Sequence, residues 1–273
     1  PVAHSFPTRR SSDLAGALFV HNVSTGKTYS SEGGSTDEPY SIAVDPQNRR
    51  AYVSTIVGQR VLIFDMDRMG WLQNRPAISF ESDGMDTRAV AVDSEADRLY
   101  VAGTYVSDSQ IVGDRVDKQH SVRIKILSLS TLERIATIDL PGKVNEFSVQ
   151  QLQPPIAIDP VSHVVLIPNR ANSTVAVLDP TGKMLAELSV GIFPSDISVD
   201  ARNRRAFVAG LDSYNIATID FDALKVRHST ALGEFIGFPV VSDEYNLVAV
   251  GSSSSNRVAL IDGNSGSVTT FLH

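Results

Sequence analysis

The sequence predicts an all-β fold, a β-propeller of four-stranded blades, and three observations carry that prediction. An apolar run ending in a turn with Asp recurs along the chain, as in Ile42–Asp45 and Ile197–Asp200. A second β-rich run follows each copy and ends in Asp, as in Val61–Asp65. The two anchors are 20 residues apart in four copies: 45 to 65, 159 to 179, 200 to 220 and 242 to 262. Four short strands in a repeat of about 42 residues are typical of propellers.

The elements follow in chain order from a leader to five complete blades. Residues 1–13 show no strand alternation and resemble a translated vector scar, so we expect a non-native or disordered leader, with a native arm as the alternative. The propeller then spans 14–273. Residues 17–22 resemble the third strand of a half blade. Complete blades start near Pro39, Thr87, Pro154, Pro194 and Phe238. We therefore expect a piece of a six- or seven-bladed parent.

Each blade is predicted from its turns as well as its strands. An Asp-Pro turn joins the first two strands in the copies at Asp45 and Asp159, where Asp bonds the backbone two residues on and Pro presets φ. The Asp that ends the third strand begins another turn, often with Gly, as in 179–182. Because the eight turn aspartates recur with the repeat, we interpret them as structural.

Two segments depart from the repeat. In blade 2 the two anchors, Asp93 and Ser128, are 35 residues apart, so this blade has about 15 extra residues, which lie in Tyr105–His120. The connection to the next blade, over 141–153, is also longer than the regular connection. Long loops in compact domains are usually functional or disordered, and both interpretations stay open. A smaller insertion, Met66–Asn74, brings two methionines and Trp71 together, and we expect it to cap a neighbouring blade.

Composition excludes several classes of function. The 273 residues contain no cysteine, which excludes disulfides, thiolate metal sites and cysteine nucleophiles. No run of 18 apolar residues predicts a membrane span. The net charge of −7 disfavours nucleic acid as a partner, because nucleic-acid-binding domains usually carry a basic patch.

A family resemblance adds to this interpretation. The runs Arg50–Ser54, Arg98–Ala102 and Arg205–Ala209, with the lead-in Gly191–Val199, resemble the YVTN-repeat propellers. That family includes surface-layer and periplasmic binding proteins and has lactonase relatives, so the resemblance implies a periplasmic or extracellular location. The Gly-His and Trp-Asp signature of WD repeats is absent, and Trp71 is the only tryptophan.

Candidate ligand-binding residues lie on loops that should gather on one face. In a propeller, the loops entering each first strand and those joining strands two and three share that face, and rigid scaffolds present binding residues on such loops. The candidates are Glu38, Tyr40, Asp86, Arg88, His120, Asn169, Arg170, Phe193 and Asp196.

Two hypotheses follow from these candidates. No histidine spacing suits a metal and no Gly-x-Ser-x-Gly elbow occurs, so we favour a non-enzymatic propeller that binds a protein, peptide or small molecule, without a cofactor. Arg88 and Arg170 would clamp an anionic ligand through paired hydrogen bonds. The alternative, implied by the lactonase relatives, is a metal-dependent hydrolase at the central channel. Glu38, Asp86, Asn169 and Asp196 would then supply oxygen ligands that suit Ca²⁺.

Overall fold

The computed structural model describes residues 19–21, 25–30, 39–72, 77–112, 115–145, 155–234, 236–252 and 254–272. The predicted leader, residues 1–13, and the candidate Glu38 lie outside these ranges. Within them, the regular structure consists of β-strands and one short 3-10 helix, Glu81–Asp83. None of the helical residues in these ranges forms a segment long and apolar enough to cross a membrane.

The strands form antiparallel sheets in which sequence neighbours pair. A half-blade contains β1 Phe19–His21 and β2 Thr28–Ser30. Blade 1 contains β3 Pro39–Asp45, β4 Arg50–Thr55, β5 Arg60–Asp65, β6 Gly70–Trp71 and β7 Ala77–Ser79. Blade 2 contains β8 Met85–Asp93, β9 Arg98–Val112, β10 Arg115–Ser128 and β11 Arg134–Asp139, and β12 Val144–Asn145 follows. Blade 3 contains β13 Ala157–Ile158, β14 Val165–Asn169, β15 Thr174–Leu178 and β16 Met184–Ser189. Blade 4 contains β17 Pro194–Asp200, β18 Arg205–Gly210, β19 Asn215–Asp220 and β20 Lys225–Ala231. Blade 5 contains β21 Ile236–Ser242, β22 Leu247–Ser252, β23 Val258–Asp262 and β24 Val268–Leu272.

This arrangement confirms the predicted blades. The described sheets are a two-stranded half-blade followed by five sheets of at least four strands. Blades 1 and 4 start at the predicted residues Pro39 and Pro194, and blade 2 starts two residues before Thr87. The predicted start of blade 3, Pro154, lies outside the described ranges.

The turn aspartates are structural, as predicted. Asp45 Oδ1 accepts hydrogen bonds from the backbone N–H of Gln47 (3.1 Å) and Asn48 (3.2 Å). Asp220 Oδ1 holds the next type of turn in the same way, accepting from the backbone N–H of Asp222 and Ala223 (2.9 Å each). These backbone hydrogen bonds lower the pKa of the Asp220 carboxyl despite its partial burial.

The residue that closes each first turn adopts left-handed backbone geometry without being glycine. Arg49, Asp97, His163, Arg204 and Asn246 each precede a second strand and have φ between 51° and 59°. A turn followed by one left-handed residue is a common way to close a short hairpin. The chain therefore uses one backbone solution in all five blades.

Within each of two parts of the chain, apolar side chains fill the space between neighbouring sheets. Tyr52 and Ile63 of blade 1 pack with Leu99 and Val101 of blade 2 in one core. A second core joins blades 3 and 4, and a third joins blades 4 and 5. The strands group into two compact units, the half-blade with blades 1 and 2 and then blades 3 to 5, with the boundary near residue 140.

The small insertion after β5 behaves as predicted and covers the half-blade. Met66 is buried in a core with Val20 of β1 and Phe64 of β5. The Trp71 ring meets the Phe64 ring edge-on, with 5.6 Å between centroids. This aromatic contact holds β6 against β5, and the Phe64 ring in turn lies 5.0 Å from the Tyr29 ring of the half-blade, centroid to centroid.

Candidate functional site

Four first strands share a β-bulge near their beginning. The pairing register shifts between Pro39 and Ser41, between Thr87 and Ala89, and between Pro194 and Asp196, with a similar shift in β21. A bulge bends the strand and re-aims a side chain, and bulges are common beside binding sites. We call the edge of each blade where its first strand begins and its second strand turns into its third the loop edge.

The bulges place two predicted residues and one that was not predicted. Tyr40 occupies the bulge of blade 1 and Arg88 that of blade 2. In blade 4 the bulged residue is Ser195, which is buried and donates to the Ala209 carbonyl oxygen (3.4 Å). The predicted Asp196 lies one residue further along the strand. Only the paired register shows which residue is bulged.

Asp86 and Arg88 form a small polar cluster with a third residue, Gln59. Gln59 Nε2 donates to Asp86 Oδ1 (3.1 Å), and Arg88 Nη2 lies 3.8 Å from Asp86 Oδ2. Arg88 thus faces a carboxylate of its own strand. Gln59 was not predicted, because its position in the turn after β4 carries no chemical signature.

Two buried polar atoms at this loop edge make no hydrogen bond within the described ranges. They are Arg88 Nε and Oγ1 of Thr104, which pairs in register with Asp86. Most buried polar atoms in folded proteins have a partner, so an exception needs an explanation. A polar ligand atom at the start of β8 that hydrogen-bonds to these two atoms would be such an explanation.

The scaffold beneath this cluster is tightly connected. The buried Thr87 hydroxyl donates to the Thr55 carbonyl oxygen (2.6 Å) or that of Arg60 (3.0 Å) and accepts from the Thr55 N–H (3.3 Å). Gly103 lies against the Asp86 backbone, where a Cβ atom would come within 2.9 Å of the Asp86 carbonyl carbon. The cluster therefore rests on backbone that has little room to move.

A second cluster contains four more of the predicted residues and lies in blades 3 and 4. The Arg170 guanidinium carbon is 4.5 Å from the centre of the Phe193 ring, and Arg170 Nε donates to the Pro194 carbonyl oxygen (3.1 Å). Phe193 has a left-handed backbone (φ 59°), and the Arg170 cation lies over the face of its ring. Asn169, only 1% exposed, donates from Nδ2 to the Pro141 carbonyl oxygen (2.7 Å), while its Oδ1 has no partner within the described ranges.

Asp196 is the fourth residue of this second cluster, and the pKa of its carboxyl is raised. Burial raises the pKa of its carboxyl, and the Ile197 N–H and the Arg170 charge offset only part of that effect. The carboxyl consequently keeps its proton to higher pH than an exposed aspartate does. A raised pKa disfavours the ionised carboxylate, which is the form that binds a metal ion.

The large insertion is a β-hairpin, and not the loop expected from the sequence. Strands β9 and β10 stay paired from Arg98–Ser128 to Val112–Arg115, well past the pair formed by Met85 and Tyr105 where β8 begins. The last paired residues project from the loop edge beyond the start of β8, and the short strand β12 also pairs with β10. His120 is accordingly a buried strand residue paired with Val106, at a register shift after Gln119.

Within the described ranges, no group of three or more His, Asp or Glu side chains is arranged to hold a metal ion. Asp86 contacts an amide and a guanidinium, as described above. The candidate Glu38 lies outside these ranges, so the full predicted ligand set stays a prediction.

Comparisons with known proteins define the architecture. No protein-family model matches the chain, and no curated protein matches its sequence. The β-propeller domain of Cps50 (Swd1) from Myceliophteria thermophila superposes with a TM-score of 0.61 at 11% identity, covering 94% of this chain and 79% of that one. The chain is a β-propeller.

Two further solved structures share this propeller fold. A Bacteroides caccae protein of unknown function has a TM-score of 0.56 at 13% identity, with 94% of this chain and 89% of that chain covered. A chain of a mitotic checkpoint complex has a TM-score of 0.62 at 9% identity, with coverages of 85% and 63%. At these identities the similarity is one of fold, and assignment to the YVTN-repeat family stays a prediction.

Proposed function

We propose that this propeller is a non-enzymatic binding protein that contacts a protein or peptide partner at its loop edge, mainly through the projecting hairpin of blade 2. The observation that carries the proposal is the exposure of aliphatic side chains on that hairpin. Ile111 is 82% exposed and pairs directly with Val116, which is 55% exposed.

The hairpin has the composition of a contact surface. Val106 adds a third exposed aliphatic side chain, while Asp117 and Lys118 supply charges around it. Apolar residues surrounded by polar ones are the usual arrangement of a protein interface. Sheet extensions of few strands are only marginally stable in water, so a partner that packs on the hairpin would also stabilise it.

The loop edges of blades 3 and 4 favour the same kind of partner. The stacked pair of Arg170 and Phe193 offers a planar cation on an aromatic support, a combination enriched at binding hot spots. One structural neighbour is part of a mitotic checkpoint complex, and a role in a protein assembly is what we propose for this chain too. The YVTN resemblance adds a periplasmic or extracellular location to the proposal.

The test is a double substitution on the hairpin, Ile111→Asp with Val116→Asp. Partners captured by cross-linking in cells are identified, purified and titrated against the wild-type and variant proteins. We expect the double variant to bind at least about tenfold more weakly, because loss of an apolar anchor typically costs more than 1 kcal/mol. The matched control is Val161→Asp, which alters an equally exposed valine in the β13–β14 turn, at the opposite edge of its blade.

Two results would contradict the proposal. One is a purified partner that binds the double variant and wild type equally. The other is turnover: hydrolysis of γ- or δ-lactones above the buffer rate, followed by pH-stat with and without added Ca²⁺, would show an enzyme.

A further inference from the structure

A buried lysine interrupts the apolar repeat in blade 2. Lys125 lies in β10, three residues before the end of the third strand, where the other blades place Leu62, Ala176, Ala217 and Ala259. Its side chain is only 2% exposed. Since the corresponding residues are all apolar, neither strand formation nor core packing calls for a cation there.

Lys125 lines a cavity of about 280 Å³ between blades 1 and 2. The apolar part of the wall consists of Ile78, Phe80, Leu127 and Leu132. Ser79 and Ser82 add hydroxyl groups, and the 3-10 helix forms one side. The volume is just below the roughly 300–1,000 Å³ of common ligand pockets, so it suits a small ligand or one side chain.

The charges in the wall do not balance. Asp83 Oδ1 lies 2.9 Å from Lys125 Nζ and 3.7 Å from Arg134 Nη1, so one carboxylate faces two cations. Arg134 is 60% exposed and stands at the opening. A lysine ammonium has three N–H donors, and Asp83 takes up one direction only. The lining residues therefore carry one excess positive charge beside an apolar floor, and Asp139, which also interacts with Lys125, is paired with Arg123.

Stability alone gives a weak reason for this arrangement. A buried ion pair is often no more stabilising than apolar residues of similar size, because both charges lose their hydration. A methionine at position 125 would continue the apolar pattern of the other blades.

We propose that this cavity is a ligand site, separate from the projecting hairpin, that binds a carboxylate carried on a short apolar chain. The carboxylate binds between Lys125 and Arg134, which can form a bidentate contact, and the apolar chain lies against Phe80 and Leu127. Such a group occurs on a free fatty acid of short chain or at the C-terminus of a peptide with an apolar last residue.

Both sources are tested directly with defined probes. Hexanoate is titrated into the purified protein and followed by isothermal calorimetry and by the NMR signal of labelled lysine Nζ groups, with hexan-1-ol as the uncharged control. A short peptide ending in leucine is compared with its C-terminal amide. We expect saturable binding of the acid or of the free-acid peptide, and no binding of the alcohol or amide.

Three variants locate the site. Lys125→Met and Arg134→Gln should each weaken binding at least about tenfold, the usual effect of removing a charged hydrogen-bond partner of a carboxylate. Lys118→Met, which removes an exposed lysine from the hairpin, should leave it unchanged. If Lys125→Met does not fold, the Arg134→Gln variant still tests the site, because Arg134 is exposed and its replacement should leave the fold intact. The proposal is overturned if neither acid nor peptide binds saturably at millimolar concentration, or if Arg134→Gln binds as wild type does.

Discussion

Replacing Gly103 by alanine should destabilise the blade 1–blade 2 unit strongly. An alanine Cβ would lie 2.9 Å from both the Asp86 carbonyl carbon and Met85 Cε, and closer still to the Asp86 carbonyl oxygen. Carbon atoms in contact are normally about 3.5–4.0 Å apart, so β8 must move away from β9. That movement stretches the hydrogen bonds around the Thr87–Gly103 pair. Overpacking and one or two weakened hydrogen bonds together cost about 2–4 kcal/mol.

The measurement is urea unfolding, supported by thermal unfolding. For a chain of this size about 2 °C of Tm is lost per kcal/mol, so the expected fall is about 4–8 °C. The control is Gly251→Ala, because Gly251 is also in a second strand but no atom lies within 4 Å of the place where an alanine Cβ would stand. That variant should be neutral or up to about 1 kcal/mol more stable. Equal stability of the Gly103 variant and wild type would refute the close-approach argument.

Three further changes should have effects of known direction. Thr87→Val should cost about 1–3 kcal/mol, measured by urea unfolding, because the buried Thr55 carbonyl oxygen loses its donor. Burial alone would raise the pKa of Asp159, but hydrogen bonds from Ser162 and Arg204 outweigh it and the pKa is lowered. The ionised carboxylate of Asp159 therefore stabilises the fold above about pH 4, and that stabilisation is lost as the pH falls. Asp159→Asn should accordingly lower Tm at pH 7, with a gap that closes in acid. Phe64→Ala should cost about 3 kcal/mol and shift the emission of Trp71 to longer wavelength, since the ring beside it is lost.

Each of these predictions has a control or a contrary result. Thr25→Val alters an exposed threonine and should leave stability unchanged. Asp67→Asn removes an exposed carboxylate that pairs with Arg49, and it should show little pH-dependent change. A constant Tm difference between Asp159→Asn and wild type from pH 7 to pH 3 would argue against the lowered pKa. Unchanged emission of Trp71 in the Phe64 variant would contradict the edge-on contact.

The sequence was sufficient for the blades because the information is repeated. The spacing of Asp45 and Asp65 recurs with the same value at 159 and 179, and the turn that follows each Asp is a local structure held by its own carboxylate. Each turn depends on residues within five positions of each other, and the spacing between the turns is counted directly along the chain. They can be recognised without knowing any long-range contact.

The candidate sites depend on long-range register, which the sequence does not state. Arg88 lies at the loop edge of blade 2, yet its connection to Gln59 through Asp86 joins two blades, and no local pattern shows that connection. The segment around Ile111 is predicted as a loop because it exceeds the length of the repeat by about 15 residues, and the length of an insertion does not show that its two halves pair with each other. Lys125 did leave a signal, a charge in an apolar run, but only Asp83 of the preceding connection explains how it is buried.

The left-handed residues of the turns have a practical consequence for anyone who wants to work with this protein. His163 and Arg204 lie where the first strand turns into the second, and Met69 and Leu224 where the third turns into the fourth. In each blade, both kinds of turn lie at the edge opposite its loop edge. An L-residue other than glycine or asparagine pays about 1–2 kcal/mol for that backbone. Glycine at His163 therefore offers a route to a more stable protein for crystallisation or engineering, whereas Arg204 has to be kept because it pairs with Asp159, and Met69 and Leu224 because they pack on the cores.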